Sequence, residues 1–192
     1  MSVRIVAGTH RGRRLETPTG GHTRPTKDIV REAVFSALDA RGRLVDATVL
    51  DCFAGSGALA LEAISRGARR AVLVERDRDA RSVITRNAVA LGEAERVTVL
   101  GGDAIRVVAG PRPAGAPFDL VFADPPYDLD DESVAAFLAA LVGSGALADD
   151  ALVCVERPAR RPPVPPPGWA PAWTRTFGDT LVTFLSASHG ET

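Results

Sequence analysis

Between residues 47 and 155 the chain alternates short, nearly continuous apolar runs with segments of helical period. The runs fall at 47–53, 71–74, 97–100, 118–123 and 151–155. A strand with one face in water alternates apolar and polar residues, whereas a run that is apolar at successive positions needs cover on both faces. The intervening segments supply that cover. One helix is expected from about Gly57 until Gly67 stops it. A second follows Asp77 as N-cap, carries Ala80, Val83, Ile84, Ala88 and Leu91 on one face, and ends at Gly92. A third is expected from about Glu132 to Val142. Buried strands alternating with helices mean an α/β fold with a parallel sheet, and right-handed crossovers make it doubly wound.

The flanks differ from this centre. Ahead of the first run, Thr26 is placed to cap a helix reaching about Leu38, with Ile29, Ala33, Val34, Ala37 and Leu38 on one face. After the fifth run, residues 158–171 hold seven prolines, which excludes a helix or an inner strand. Two β-like runs follow at 172–177 and 180–185, joined by Gly178-Asp179, and predict an antiparallel hairpin closing one sheet edge. The proline-rich 158–168 is expected to be an irregular loop without function.

Composition removes several classes of function. With 192 residues, 45 % of them hydrophobic, the chain has material for one packed domain and is not broadly disordered. No apolar run approaches the ~20 residues that span a bilayer. The first fifteen residues lack the apolar stretch of a secretory signal, so a cytoplasmic location without membrane contact is expected. Cys52 and Cys154 are too few for a disulfide framework, and the fourth strand is expected to hold them apart. With His10, His22 and His189 scattered, no metal site is expected. Charge is uneven: residues 1–43 carry nine basic groups against four acidic, the remainder fourteen against twenty. We therefore divide the chain into a basic N-terminal extension with its helix, 1–45, and a body, 46–192. Such an arm suits a polyanionic partner, although a solvated extension has the same composition.

The chemistry gathers at the predicted strand tips. The first strand runs into Asp51-Cys52-Phe53-Ala54-Gly55-Ser56-Gly57, a turn whose glycines let backbone approach a ligand at a helix N-terminus. The second ends in Glu75, a carboxylate able to accept from both ribose hydroxyls of an adenosine. The third ends before Asp103, which suits either an adenine amine or the N-cap of a short helix. The fourth ends in Asp124-Pro125-Pro126-Tyr127, which contains the only tyrosine of the chain. Prolines there fix the backbone so that the Asp124 carboxylate and the Pro125 carbonyl converge, two acceptors for one exocyclic NH₂ group. Tyr127 offers a flat face for a planar base. The glycine spacing alone also satisfies a dinucleotide fingerprint, so a nicotinamide oxidoreductase is a competing reading that leaves Asp124–Tyr127 unexplained.

Taken together, Asp51–Gly57, Glu75, Asp103 and residues 124–127 resemble the motifs of class I S-adenosylmethionine-dependent methyltransferases that act on exocyclic amino groups. The N-terminal block narrows the resemblance. Arg4-Ile5-Val6-Ala7-Gly8, Arg11-Gly12-Arg13-Arg14-Leu15, and Arg24-Pro25-Thr26 leading into 30–35 are similar to the 16S rRNA methyltransferases that modify N2 of guanine-966. Gly178-Asp179-Thr180 is similar too, and only the proline-rich 158–168 departs from the pattern.

The resemblance implies a Rossmann-like, mostly parallel seven-stranded sheet in the order 3-2-1-4-5-7-6. It implies S-adenosylmethionine as cofactor and S-adenosylhomocysteine as product, bound at the topological switch point. Cofactor contacts would come from Asp51, Phe53, Ala54, Gly55, Ser56, Gly57, Glu75, Arg76, Asp103, Ala104 and Asp124. Catalysis would fall to Asp124, Pro125, Pro126 and Tyr127. Related families carry Asn at the first of these positions, which argues against an obligatory strong base there. The partner implied is 16S rRNA in the small (30S) ribosomal subunit, with Arg11, Arg13, Arg14, Arg24 and Lys27 on its phosphates and a monomeric enzyme. For Arg24 and Lys27, packing at the helix entry is an equal reading. Methylation of adenine N6 or cytosine N4 in DNA, or of protein glutamine, uses related tetrapeptides, but 192 residues leave little room for a separate DNA-reading region. A non-catalytic RNA-binding protein would have no use for the intact cofactor contacts.

Overall fold

Strand β3 (Thr48–Asp51) is buried along its whole length and lies in the interior of the sheet. It pairs in parallel with β4 (Arg70–Glu75) on one side and β6 (Phe118–Ala123) on the other. The computed structural model describes residues 3–18 and 25–188, with only the backbone described for 25–27. β5 (Val97–Gly101) extends the sheet beyond β4, and β7 (Leu147–Pro158) lies parallel to β6. Then β9 (Thr180–Ala187) runs antiparallel between β7 and β8 (Trp169–Phe177). Counted from β3, the order is the expected 3-2-1-4-5-7-6.

Successive residues of β3, β4, β6 and the later part of β7 feed opposite cores, which is why these strands read as continuous apolar runs. Val49, Leu73, Phe122 and Phe184 meet α1 (Pro25–Asp39), α2 (Ala58–Ser65) and α3 (Arg78–Leu91). Leu50, Val72, Val121 and Val153 meet α4 (Ala104–Ala109) and α5 (Asp131–Gly143) on the other side. Asp77 caps α3 by accepting from the Ala80 N–H at 2.8 Å, and Gly92 closes it in the left-handed region, as expected. Among the described residues no helix is long and apolar enough to cross a membrane. Cys52 and Cys154 are free, buried thiols with β6 between their strands. Burial pushes both thiols well above the ordinary range.

Three boundaries and one helix face depart from the sequence expectation. Helix α1 begins at Pro25, so Thr26 lies inside its first turn and is not its cap; proline suits that position because its missing N–H has no partner to lose. Ile29 is 60 % exposed. The buried stripe is Val30, Val34, Phe35 and Leu38, one residue further round the helix than the expected face. Strand β7 starts at Leu147, ahead of the expected 151, and shifts register between Phe118 and Leu120 of its neighbour. β8 includes Pro171, where the pairing also shifts register. A proline is tolerated there because β8 is the edge strand.

The N-terminal segment is docked, not trailing. Short strands β1 (Val3–Arg4) and β2 (Arg14–Leu15) form an antiparallel ribbon. Val3, Ile5 and Leu15 pack on Leu61, Ala88 and Leu91 in a small third core. Glu62, fully buried, accepts from the Val6 and Ala7 N–H groups at 2.7 and 3.0 Å. Gly8 sits at φ +82°, and a Cβ there would lie 1.9 Å from the Ser65 carbonyl oxygen, so only glycine allows this approach.

Candidate active site

The strand tips of β3, β4, β6 and β7 open into a cleft of about 540 Å³, a size suited to a nucleotide-like ligand. Its floor is the turn between β3 and α2. Gly55 and Gly57 take φ of +55° and +79°, and α2 starts directly behind them. At Gly57 a Cβ would press on Leu73 and Ile84 at 3.1 and 3.4 Å, so the glycine also lets the turn settle on the core.

Glu75 shapes this turn. One of its carboxylate oxygens accepts from the Gly55 N–H at 2.8 Å, and the other accepts from the Asp77 N–H at 2.9 Å. Each oxygen keeps a further lone pair, and the side chain lines the cleft. Asp103 caps α4 through the Arg106 N–H at 3.2 Å while also lining the cleft beside Ala104. The cap and the cleft-lining position are compatible, so the two readings of Asp103 do not exclude each other. Arg76 stands exposed at the same end.

At the opposite end, Asp124, Pro125, Pro126 and Tyr127 follow β6 into the cleft wall, and Tyr127 is 44 % exposed at the mouth. The structure thus brings Phe53, Ala54, Gly55, Ser56, Glu75, Arg76, Asp103, Ala104 and residues 124–127 around one cavity. Asp51 and Gly57 are not among its lining residues. Asp51 is 1 % exposed and accepts from the backbone N–H groups of Phe53 and Ala60, while its Oδ2 has no hydrogen-bond partner. Burial, then the charges of Asp124 and Glu75, push its carboxyl up to about 7, against two opposing backbone hydrogen bonds.

Of the predicted phosphate-binding residues, Arg11, Arg13 and Arg14 are exposed on the ribbon, and Arg13 donates to the Ala90 carbonyl at 2.7 Å. Lys27 is on the first turn of α1 by its backbone, and Arg24 lies outside the described residues.

Three groups of residues at the site were not singled out from sequence. Asp28, Val30, Arg31 and Val34 of α1, with Val3 and the 17–18 segment, wall the cleft from the N-terminal side. No local pattern reveals which part of a helix faces a ligand. Glu156 also lines the cleft, and it carries the same sequence signal as Glu75, an acid directly after a buried apolar run. Arg157 and Arg161 secure the loop after Tyr127. Arg157, 1 % exposed, donates to Asp131 at 2.7 Å and to the Leu129 carbonyl at 3.2 Å. Arg161 reaches Asp131 at 2.9 Å and the Tyr127 carbonyl at 3.4 Å. Arg161, then Arg157, hold the Asp131 carboxyl below its usual range. The proline-rich segment, expected to be without function, therefore contributes to holding this loop.

Comparison with known proteins places this cleft in context. A family model described as conserved hypothetical protein 95 matches residues 3–186. Ribosomal RNA small subunit methyltransferase D of Escherichia coli (strain K12) is 42 % identical over 156 residues, 80 % of this chain and 74 % of that protein. Its namesake from Haemophilus influenzae is 33 % identical over 178 residues, 92 % of this chain and 89 % of that one. A solved structure described as the putative methyltransferase yhhF from Escherichia coli superposes with a TM-score of 0.83 at 36 % identity, covering 97 % of this chain and 98 % of the other.

Proposed function

The chain belongs to the conserved hypothetical protein 95 family, and on that premise we propose that it methylates N2 of one guanine, guanine-966, in 16S rRNA, using S-adenosylmethionine. The observation that carries this reading is the presence of Asp124-Pro125-Pro126-Tyr127 in the same cleft as Glu75 and Asp103. The relatives named for small-subunit rRNA methylation support the substrate. A nicotinamide enzyme would use the glycine turn but gives the tetrapeptide nothing to do.

The donor set fits the cofactor. Glu75 keeps lone pairs for ribose hydroxyls, Asp103 one carboxylate oxygen for an adenine amine, and the Ala104 N–H is the donor for a ring nitrogen. Phe53, Ala54, Gly55 and Ser56 supply close backbone approach, with Arg76 at the rim. When bound, S-adenosylmethionine supplies a methyl group on a sulfonium, an electrophile that needs little more than an aligned nucleophile.

The protein provides that alignment. The N2 lone pair of guanine is delocalised into the ring and is a poor nucleophile. The Asp124 carboxylate and the Pro125 carbonyl accept the two N2 hydrogens, which turns the lone pair toward the cleft. The same carboxylate stabilises the positive charge that develops on nitrogen, and the surplus N2 proton, made acidic by the new bond to carbon, then passes to solvent. Pro126 stiffens the turn, and Tyr127 stacks on the base. A base inside folded RNA cannot enter such a cleft, so the target is presented in a loop or flipped out. We assign the assembled or assembling 30S subunit as substrate, with the enzyme acting as a cytoplasmic monomer.

The test is transfer of labelled methyl groups to small subunits lacking the modification, beside naked 16S rRNA, duplex DNA and the Asp124→Ala protein. Label is expected on one guanine N2 of the particle, and Asp124→Ala is expected to lose transfer by at least ~100-fold while keeping cofactor affinity. Label on DNA or protein, or none despite cofactor binding, would overturn the substrate. Near wild-type turnover of Asp124→Ala would remove the role given to that carboxylate.

A further inference from the structure

Asp124 and Pro125 account for the two N2 hydrogens but leave the neighbouring N1–H of the guanine without an acceptor. That donor distinguishes guanine among purines: its pairing edge places N1–H beside N2–H₂, whereas adenine presents N1 as an acceptor. A buried base edge left unmatched loses its recognition, so the cleft needs a second acceptor near Asp124.

Five other carboxylates line the cleft: Asp28, Glu75, Asp77, Asp103 and Glu156. Glu75, Asp77 and Asp103 stand at the far end, on the tips of β4 and β5, where they hold the glycine turn and cap α3 and α4. Asp28 receives Arg31 on α1 at 3.0 Å. Glu156 is placed differently. Parallel pairing sets Ala123 opposite Val155, so Asp124 and Glu156 are the next residues of adjacent strands. Phe122 and Cys154 belong to the core on the α1 side, so the alternation of β7 sends Glu156 to that same side. Both Asp124 and Glu156 line the cleft.

Resting on the guanine-N2 reading above, we infer that Glu156 is the specificity-determining residue for the base, accepting from guanine N1–H beside the N2 group held by Asp124 and Pro125. Glu156 takes no part in methyl transfer itself. It admits a purine whose N1 carries hydrogen and turns away one whose N1 carries a lone pair, which a carboxylate repels.

The experiment compares two bases and two proteins. Small subunits are reconstituted with 16S rRNA carrying either guanine or 2-aminopurine at the methylated position; 2-aminopurine keeps the N2 amine but has an acceptor at N1. Wild-type protein is expected to prefer guanine. In Glu156→Gln the amide can donate to an N1 acceptor as well as accept from N1–H, so guanine kcat/KM falls about 10-fold and the preference over 2-aminopurine narrows by ~10- to 100-fold. Cofactor titration of Glu156→Gln is expected within about 2-fold of wild type, which separates base reading from a folding defect.

An unchanged guanine preference in Glu156→Gln overturns the inference while leaving the guanine-N2 reading in place. Loss of cofactor binding in the variant also overturns it, making Glu156 a structural support. If wild-type protein binds cofactor yet methylates neither base, the guanine-N2 reading fails and takes the inference with it.

Discussion

Asp51 is a carboxylic acid held almost wholly out of water. The resemblance implies a cofactor contact for it, and the structure shows it 1 % exposed, with its carboxyl raised to about 7 by burial and by Asp124 and Glu75. An unfolded chain releases this proton near 3.8. Between about pH 4 and pH 7 the unfolded state has therefore lost the proton and the folded state keeps it, so Asp51 makes stability fall as pH rises through that window. Its contribution is fully favourable below about pH 4 and gone above about pH 7. The distance between those two values bounds the effect at something on the order of 4 kcal/mol. Asp51→Asn removes the titration, and its denaturant midpoint is expected to vary less than that of wild type between pH 4 and pH 7. Parallel profiles for the two proteins would show that Asp51 does not hold its proton. Removing the nearby charge with Asp124→Asn is expected to move the wild-type window downward, because one of the causes raising Asp51 is then absent.

The tetrapeptide is only as well placed as the loop that follows it, and that loop is held from another element. Arg157 at the end of β7 and Arg161 beyond it both bind Asp131 and reach the Leu129 carbonyl. Asp131 is 56 % exposed by side chain, so replacing Arg157 strands no buried charge, and Arg157→Met preserves most of the packed volume. The expected result is a small stability change, within about 1.5 kcal/mol, with kcat for methyl transfer down roughly 10-fold and cofactor affinity retained. A KM effect without a kcat effect would mean that the clamp serves RNA docking and not the position of Asp124–Tyr127. Elements of this kind mark the limit of what the sequence discloses. Strands β3, β4 and β6 were legible because a strand covered on both faces is apolar at successive positions, and Asp77 was legible because capping is chemistry within three residues. The start of β7 was not, since Leu147–Asp150 contains two aspartates, nor was the start of β8, since Pro171 reads as a break until its edge position is known. The wall built by α1, the role of Arg161 and the register that sets Glu156 beside Asp124 are all tertiary, with nothing local to announce them.

At the scale of the molecule, a basic N-terminal segment is fastened to an acidic body and also walls its cleft. Val3 and the 17–18 segment border the cavity, while Arg11 and Arg14 face outward on the same ribbon. Glu62 fixes that ribbon through two backbone N–H groups, so its arginines are presented from a rigid base at little loss of conformational freedom on binding. Arg13 is a poor probe because it also holds the Ala90 carbonyl. Arg11 and Arg14 together are a cleaner one. If they sit on phosphates, each contact releases about one condensed counterion, and the double Arg11→Ala/Arg14→Ala protein is expected to flatten the slope of log K against log salt by ~1.5 for RNA. Affinity should fall alike for matched and unrelated RNA, because phosphate contacts carry no base information. Cofactor affinity should hold, since neither side chain lines the cleft. A slope equal to that of wild type would place the phosphate contacts elsewhere, on α1 or on Arg76 and its neighbours. The charge asymmetry would then be a property of the ribbon's docking and not of its partner.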